Sequence, residues 1–399
     1  MPVMKDTRTS ATEETTTDNK TTGALTDATG TPQVEKSNPK PNALGRAWQF
    51  LKTAWGEHSY IFVFLVVLAV YAFTITYNGK SFSAGHISAI LSSQNTVVVG
   101  TMAIGMALVI ITGQIDLSIG SSMVLCTGVT VVVFNVTNSI ILTVLAALGS
   151  GLVCGAVNGL LAAYVKIPPF IVTLGTMLIY RSLTLWAVRA TPREITGSGS
   201  SQFSLKSDNS AYQALRMNFG TSSLKLGGFS IPYVSMLFLA CLILFVFIAT
   251  STKYGKAVYA VGSNEKAARL SGINVQWIKA SVFMVTGLLV GVASIIQASK
   301  VGNITPASSG RSYEMYAIAA VVLGGIAMSG GRGNILGVLF GALSYAAIDF
   351  IIVSIPALSA DIQDTFQGLV LILVIMVQTA GPVLRERFRR GPKAVAATV

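Results

Sequence analysis

Charge is what this sequence has least of. Asp, Glu, Lys and Arg make up 11% of its 399 residues, against about 25% in an ordinary soluble domain. That excludes a soluble globular protein. Acids are scarcer than bases, 16 against 28, leaving a net charge of +12. The bases flank apolar runs and form no aromatic-interleaved patch, which excludes a nucleic-acid surface. The two histidines, His58 and His86, form no cluster. Cys126, Cys154 and Cys241 sit inside apolar runs with no metal-ligand spacing and read as small core residues. A metalloenzyme or a Ser-His-Asp site is therefore unsupported. No G-x-x-x-x-G-K-[ST] loop is present; GGRGNILG (330–337) lacks the lysine and follows no strand. The chain has no ATP site of its own.

What remains is apolar. Hydrophobic residues make up 52% of the chain, mean hydropathy is +0.65, and runs of roughly 20 apolar residues alternate with short polar stretches. The short alternating segments of a β-barrel are absent. This pattern predicts an all-α polytopic membrane protein. About ten spans are expected, at 60–77, 95–111, 117–134, 140–165, 170–190, 231–250, 280–298, 316–327, 335–353 and 365–378. The eighth is short and is expected to begin earlier, near Ser309; the tenth is short as well. An even count with the first segment inside returns both termini to the cytoplasm. The charges agree: Lys166, the 251–279 segment, Arg332 and the closing RERFRRGPK fall inside, while Asp361 and Asp364 fall outside.

The chain divides accordingly. Residues 1–43, rich in Thr, Lys, Glu, Asp and Pro, read as a disordered cytoplasmic tail without a signal-peptide core. Residues 44–59 place Leu44, Trp48, Leu51 and Trp55 at helical spacing, which fits an interfacial helix or the first turns of the first span. The transmembrane domain covers 60–378, and 379–399 is a basic cytoplasmic tail. The loop 191–230 is the largest external segment, long enough for short helices and for meeting an external partner.

The stretch 251–279 is too polar for lipid. Lys253, Lys256, Lys266, Arg269 and Lys279 outweigh the single acid Glu265. Asn264 can cap a short helix with Glu265 in its first turn, and Gly272 can end it in the left-handed conformation. An ordinary basic loop is the alternative.

Three polar sites interrupt the apolar runs. In ITGQIDLSIGSS (111–122) Asp116 stands between two spans and can cap a helix, face a cavity or carry a proton. Asn158 lies inside a span, in VNGLLAAYVKIPPFIVTLGT (157–176), where Pro168 and Pro169 end one helix and start the next. Glu314 borders the eighth span behind a Gly- and Ser-rich entry, and Asp349 comes late in the ninth. Acids at membrane depth are functional candidates by default; a salt bridge to Arg181 or Arg311 is the competing reading. Among the 38 glycines, Gly151/Gly155, Gly287/Gly291 and Gly337/Gly341 stand four apart, as close helix packing requires. GQIDLSIG (113–120) and GGIAMSGG (324–331) share G-x-I-x-[LM]-S-x-G, as an internal duplication would.

GQIDLSIGS, NGLLAAYVKIPPFIVTLGTM, YAVGSNEKAARLSGINV and YEMYAIAAVVLGG occur in order between residues 87 and 378. Together they resemble the permeases of bacterial ABC sugar importers, the ribose, xylose, arabinose and galactose group. The resemblance implies the ABC importer permease fold in the bacterial cytoplasmic membrane. It implies a non-enzymatic subunit that works with a second permease subunit, two cytoplasmic ATPase subunits that hold the ATP and Mg, and an external sugar-binding protein. It also implies that Gly262, Glu265, Ala267, Ala268 and Gly272 contact the ATPase. A neutral sugar needs amide and hydroxyl partners, so Gln94, Asn95, Asn158 and Gln297 are expected along the path, with Asp116, Glu314 and Asp349. Gln114, Tyr316 and Asp349–Phe350 depart from the family pattern and bear on which sugar is carried. A permease for nucleosides or branched-chain amino acids, and an ion-coupled secondary transporter using the buried acids, are the alternatives.

Overall fold

The computed structural model describes residues 59–355, apart from 199–200, 207–209, 221 and 227–228, together with Thr365, Phe366, Gly368, Leu369, Ile372 and Met376. The two terminal segments, residues 44–58 of the expected interfacial helix and most of the tenth expected span lie outside the described residues. The protein is mostly helical. Its long helices are α1 (Ser59–Tyr77), α2 (Ala84–Ser92) leading through a π-helical turn (Asn95–Val99) into α3 (Gly100–Ile111), α4 (Ile119–Thr137), α5 (Ile140–Ala163) and α6 (Pro169–Ala190). After a mixed segment containing α7 (Arg193–Thr196), β1 (Phe203–Ser204), α8 (Ser210–Leu215), β2 (Ser223–Leu226) and β3 (Phe229–Pro232) come α9 (Tyr233–Ser251), α10 (Lys253–Ser263), α11 (Glu265–Leu270) and α12 (Val275–Val301). The final described elements are β4 (Asn303–Ile304), α13 (Tyr313–Leu323) and α14 (Gly337–Ser354).

Among the described residues, seven helices are long and apolar enough to cross a membrane, or eight if the bent pair around residue 93 is one span. This makes a multi-pass membrane protein. Two expected spans are corrected. The second is not a plain helix from 95: α2 precedes it, and the two halves meet at 49°. The eighth is an 11-residue helix that starts at Tyr313, not near Ser309. At 1.5 Å per residue it is about 16 Å long, roughly half the hydrocarbon thickness. Coil segments flank it on both sides, and several of their backbone groups are bonded from within the protein, as non-helical backbone in a membrane protein requires. Arg181 donates to the carbonyls of Pro306 (2.8 Å), Ser309 (2.6 Å) and Gly310 (3.2 Å). Beyond α13, Gly331 N–H donates to Ile111 O at 2.8 Å.

α3, α4 and α12 form the buried centre. Every residue of α3 is buried, which is why its sequence shows no amphipathic face. The most extensive helix contact joins α5 and α12. β-Carbons on Gly151, Gly155 and Gly159 would collide with the α12 backbone at Gly287, Phe283 and Ala280, and one on Gly287 would collide with Gly151. Gly337 and Gly341 pack in the same way on Gly324 and Ala320. These glycines are there because backbones touch.

The shared pattern of 113–120 and 324–331 has, in part, a local cause. α3 and α13 both end in a Schellman stop: Gly113 N–H to Ile110 O and Gln114 N–H to Val109 O, then Gly325 N–H to Val322 O and Ile326 N–H to Val321 O. The equivalent glycines are Gly113 and Gly325, one residue out of the sequence register, and the same bonds recur at Gly272. Helix-stop chemistry accounts for a glycine at each place but not for the rest of the shared pattern.

The 191–230 segment contains its expected short helices and also strands that were not anticipated. β1 pairs with β4, and β2 with β3. Asn135, at the end of α4, staples this segment down by donating to Ile195 O (2.8 Å) and Ser204 O (2.9 Å).

Candidate functional site

The bend between α2 and α3 gathers the first group of expected residues. π-turns leave backbone geometry that recurs at functional sites, and here the turn starts at Asn95. Gln94 Nε2 donates to Gln297 Oε1 at 2.6 Å and to Tyr313 Oη at 2.8 Å. Asn95 Nδ2 donates to Asp349 Oδ2, and Lys300 Nζ donates to Ser92 O. Gln94, Asn95, Gln297 and Asp349, from three separate parts of the chain, therefore form one cluster. The rings of Tyr313, Tyr316 and Tyr345 continue it, with centroids 5.9 and 5.2 Å apart. Amides, a carboxylate, phenol hydroxyls and ring faces are the groups that hold a neutral polyhydroxylated solute. Tyr313 and Tyr345 were missed from sequence; the available signal was aromatic spacing at 313 and 316, beside the Gly-rich entry.

Asp116 and Asn158 belong to a second cluster. Asp116 Oδ1 accepts from Ser118 N–H (2.8 Å) and Ser118 Oγ (2.7 Å). Asn158 Nδ2 donates to Ser118 Oγ at 2.7 Å, and Asn158 Oδ1 accepts from Thr176 Oγ1 at 2.7 Å. The chain of bonds ties the start of α4 to α5 and α6. Asp116 thus organises a helix start, where a carboxylate also meets the favourable end of the helix dipole. Glu314 lies against the same helix start: a β-carbon on Gly120 would be 2.7 Å from its Oε2. Arg181 and Glu314 interact electrostatically without closing to a salt bridge, whereas Glu265 makes ion pairs with Arg269 and Lys279.

The 251–279 segment holds two helices where one was expected. Thr252 caps α10 by accepting from Gly255 N–H at 3.1 Å. Asn264 caps α11 by accepting from Ala267 N–H at 3.0 Å, and Gly272 ends it with φ +80°. Ala268 is buried, and Leu270 stands 89% exposed at the tip. Glu265 bonds Lys279 Nζ at 2.7 Å and Arg269 at 3.3 Å. The hydrogen bond from Lys279, followed by the two positive charges, holds the Glu265 carboxyl below the usual range despite partial burial. α10 is clamped to the ends of both broken segments. Gly262 packs on the Ile111 carbonyl, Tyr259 Oη donates to Gly333 O at 2.9 Å, and Ser263 Oγ to Gly331 O at 3.4 Å. A push on α10–α11 therefore reaches α3 and the coil behind α13 directly. The five residues expected to meet an ATPase divide in two: Gly262 and Ala268 are packing positions, while Glu265, Ala267 and Gly272 are exposed.

Residues 86–375 match the family model described as branched-chain amino acid transport system / permease component. The chain belongs to that permease family. It is 34% identical to the fructose import permease protein FrcC of Rhizobium meliloti over 78% of this chain and 82% of that protein. It is 32% identical to the xylose transport system permease protein XylH of Escherichia coli strain K12, over 80% of this chain and 92% of that protein. The ribose import permease protein RbsC of the same strain is also 32% identical, over 82% of this chain and 96% of the relative. No solved structure matches. The resemblance to bacterial ABC sugar importer permeases, first seen in four motifs, is borne out.

Proposed function

We propose that this chain is the permease subunit of an ATP-binding-cassette importer that carries a monosaccharide, a pentose or hexose, delivered by an external binding protein. The reading rests on alignment along 82% to 96% of the length of three sugar import permeases. The geometry adds a transmission route, since α10–α11 is fixed to both broken segments. In this reading the basic end carrying α10 and α11 is cytoplasmic. Exposed Leu270 and Glu265 meet the partner ATPase, which holds ATP and Mg. Two permease subunits flank the path, and the 191–230 segment receives the binding protein. The tenth span and the cytoplasmic termini in the bacterial cell membrane complete the topology. The polar cluster from Gln94 to Asp349 lines the path and passes sugar hydroxyls from one amide or phenol to the next.

A second reading has one observation in its favour: the family model is described by branched-chain amino acids. Such a cargo would bring charged amino and carboxylate groups. Reconstitution with the co-encoded ATPase and binding protein decides between them. Uptake of labelled ribose, xylose or fructose that requires ATP is expected. Uptake of leucine instead, or sugar uptake by the chain alone driven by a proton gradient, would overturn the proposal.

A further inference from the structure

Arg181 stands at the middle of α6, where a guanidinium is costly unless its donors are met. The three hydrogen bonds described above all end in the 305–312 coil that leads into α13: Nη1 donates to Pro306 O and Ser309 O, and Nη2 to Gly310 O. That coil is also folded on itself. Ser308 N–H and Ser309 N–H donate to Thr305 O at 3.1 and 2.8 Å, and Thr305 N–H donates to Ser309 Oγ at 3.1 Å. Its exit is strained. Gly310 has φ +66°, which glycine takes freely, but Ser312 has φ +61°, which a serine avoids. Such a residue persists only where its surroundings over-determine it. Ser312 immediately precedes α13, and the next residue, Tyr313, accepts from Gln94 Nε2 at 2.8 Å. On the far side, Gly310 O and Glu314 Oε2 stand 2.5 and 2.7 Å from where a β-carbon on Gly120 would lie. The coil is thus packed on α4 and hydrogen-bonded to α6.

We propose that Arg181 is a positioning residue: it holds the strained turn at Ser312 and so delivers the Tyr313 hydroxyl to Gln94. The residue type fits the task. Carbonyls spread over residues 306–310 need donors on an arc, and the two terminal nitrogens of a guanidinium form such a fork. Bonds from a charged donor are also stronger than neutral ones. Lysine brings the charge and three donors on a single nitrogen, and should replace arginine in part. Methionine keeps apolar bulk and brings no donor. Glu314 attracts Arg181 without closing a salt bridge, which leaves the guanidinium to the carbonyls. If the cluster from Gln94 to Asp349 is the solute path, as proposed above, Arg181 governs transport without touching solute; its hold on Tyr313 does not depend on that reading.

The test uses the full chain in nanodiscs, with 3-fluorotyrosine placed at residue 313 alone and followed by fluorine NMR. A second sample carries it at Tyr254, bonded to Ser281 in another part of the protein, as a distant reporter. Gln94→Leu marks the signal of a 313 phenol that has lost its donor. Arg181→Met is expected to move the 313 signal to that position and leave the 254 signal in place, and Arg181→Lys to restore at least half of the native signal. If Arg181→Met does not reach the membrane, Arg181→Gln, one amide for three carbonyls, carries the same expectation. A 313 signal unmoved by the loss of Arg181 overturns the proposal, and so does one that moves together with the 254 signal, as general loosening would make it do. In vesicles with the co-encoded ATPase and binding protein, Arg181→Met should lower ATP-driven sugar uptake at least tenfold. The loss should be less than twofold once Tyr313→Phe has removed the hydroxyl. Equal losses in both backgrounds would likewise overturn it. If the native chain takes up no sugar, the importer reading fails, while the fluorine signals still decide whether Arg181 positions Tyr313.

Discussion

Gly262 presses so closely on the Ile111 carbonyl oxygen that a β-carbon has no place between them. The same oxygen accepts from Gly331 N–H at 2.8 Å. Three elements of distant sequence, α3, α10 and the coil after α13, therefore meet at one atom. A side chain at 262 must separate α10 from that junction. Gly262→Val is expected to reduce ATP-driven uptake at least tenfold while the protein still reaches the membrane. Uptake assays with immunoblots of membrane fractions check this, and normal uptake would contradict the clamp.

Gly272 presents the opposite case. A β-carbon there meets nothing within 4 Å, but φ is +80°. The cost of a side chain is therefore conformational, about 1–2 kcal/mol for an ordinary residue in the left-handed region and less for Asn. Gly272→Ala should speed amide exchange at Gly272 and Ile273 by roughly five- to thirtyfold, on the scale of 1.4 kcal/mol per decade. Gly272→Asn should cost less. Equal effects from the two would mean that space, and not backbone conformation, fixes this position.

Glu265 links the segment to pH. Its carboxyl is held low by Lys279 and Arg269, so the stabilisation is fully present above the ordinary glutamate value near 4.3. It is lost as pH falls through the lowered folded value. The pair is partly solvated, with Glu265 44% exposed, which limits the effect to about 1 kcal/mol or less. Wild type should melt slightly above Glu265→Gln between pH 5 and 7, and the gap should close below pH 4. Glu265→Lys, which reverses the exposed charge, should abolish uptake with near-normal abundance.

Asn158 holds three helices together through Ser118 and Thr176. Asn158→Leu removes both bonds and leaves Ser118 and Thr176 with one fewer partner each. Hydrogen bonds between membrane helices average about 0.6 kcal/mol and reach about 1.7. A loss of roughly 1–3 kcal/mol is expected in denaturation from detergent, with slower uptake. An unchanged midpoint would show that the network does not bear on stability.

The parts of this architecture that depend on neighbours in sequence were legible beforehand. Asn264, Glu265 and Gly272 specify the ends of α11 because capping involves residues within four positions. α1, α5 and α9 are long, nearly uninterrupted apolar runs. α13 was not legible in the same way. Ile326, Ala327 and Met328 follow it and are as apolar as the helix itself, so only the Gly324–Gly325 stop reveals how short it is. α10 was hidden by its basic residues, which a loop would carry equally well. Gln94 and Gln297 were each named for their amides. Their partnership spans 203 residues, and no local pattern encodes such a pairing. The strands Phe203–Ser204 and Asn303–Ile304 are two residues each, too short for any periodicity to show.

The glycine seam between α5 and α12 has a mechanical corollary. Where backbones mesh at Gly151, Gly155, Gly159 and Gly287, neither rod can slide on the other without riding over carbonyl groups. The pair is expected to move as one body, so a change of shape elsewhere in the bundle should leave its spacing untouched. Spin labels on α5 and α12 would then keep one separation throughout a cycle.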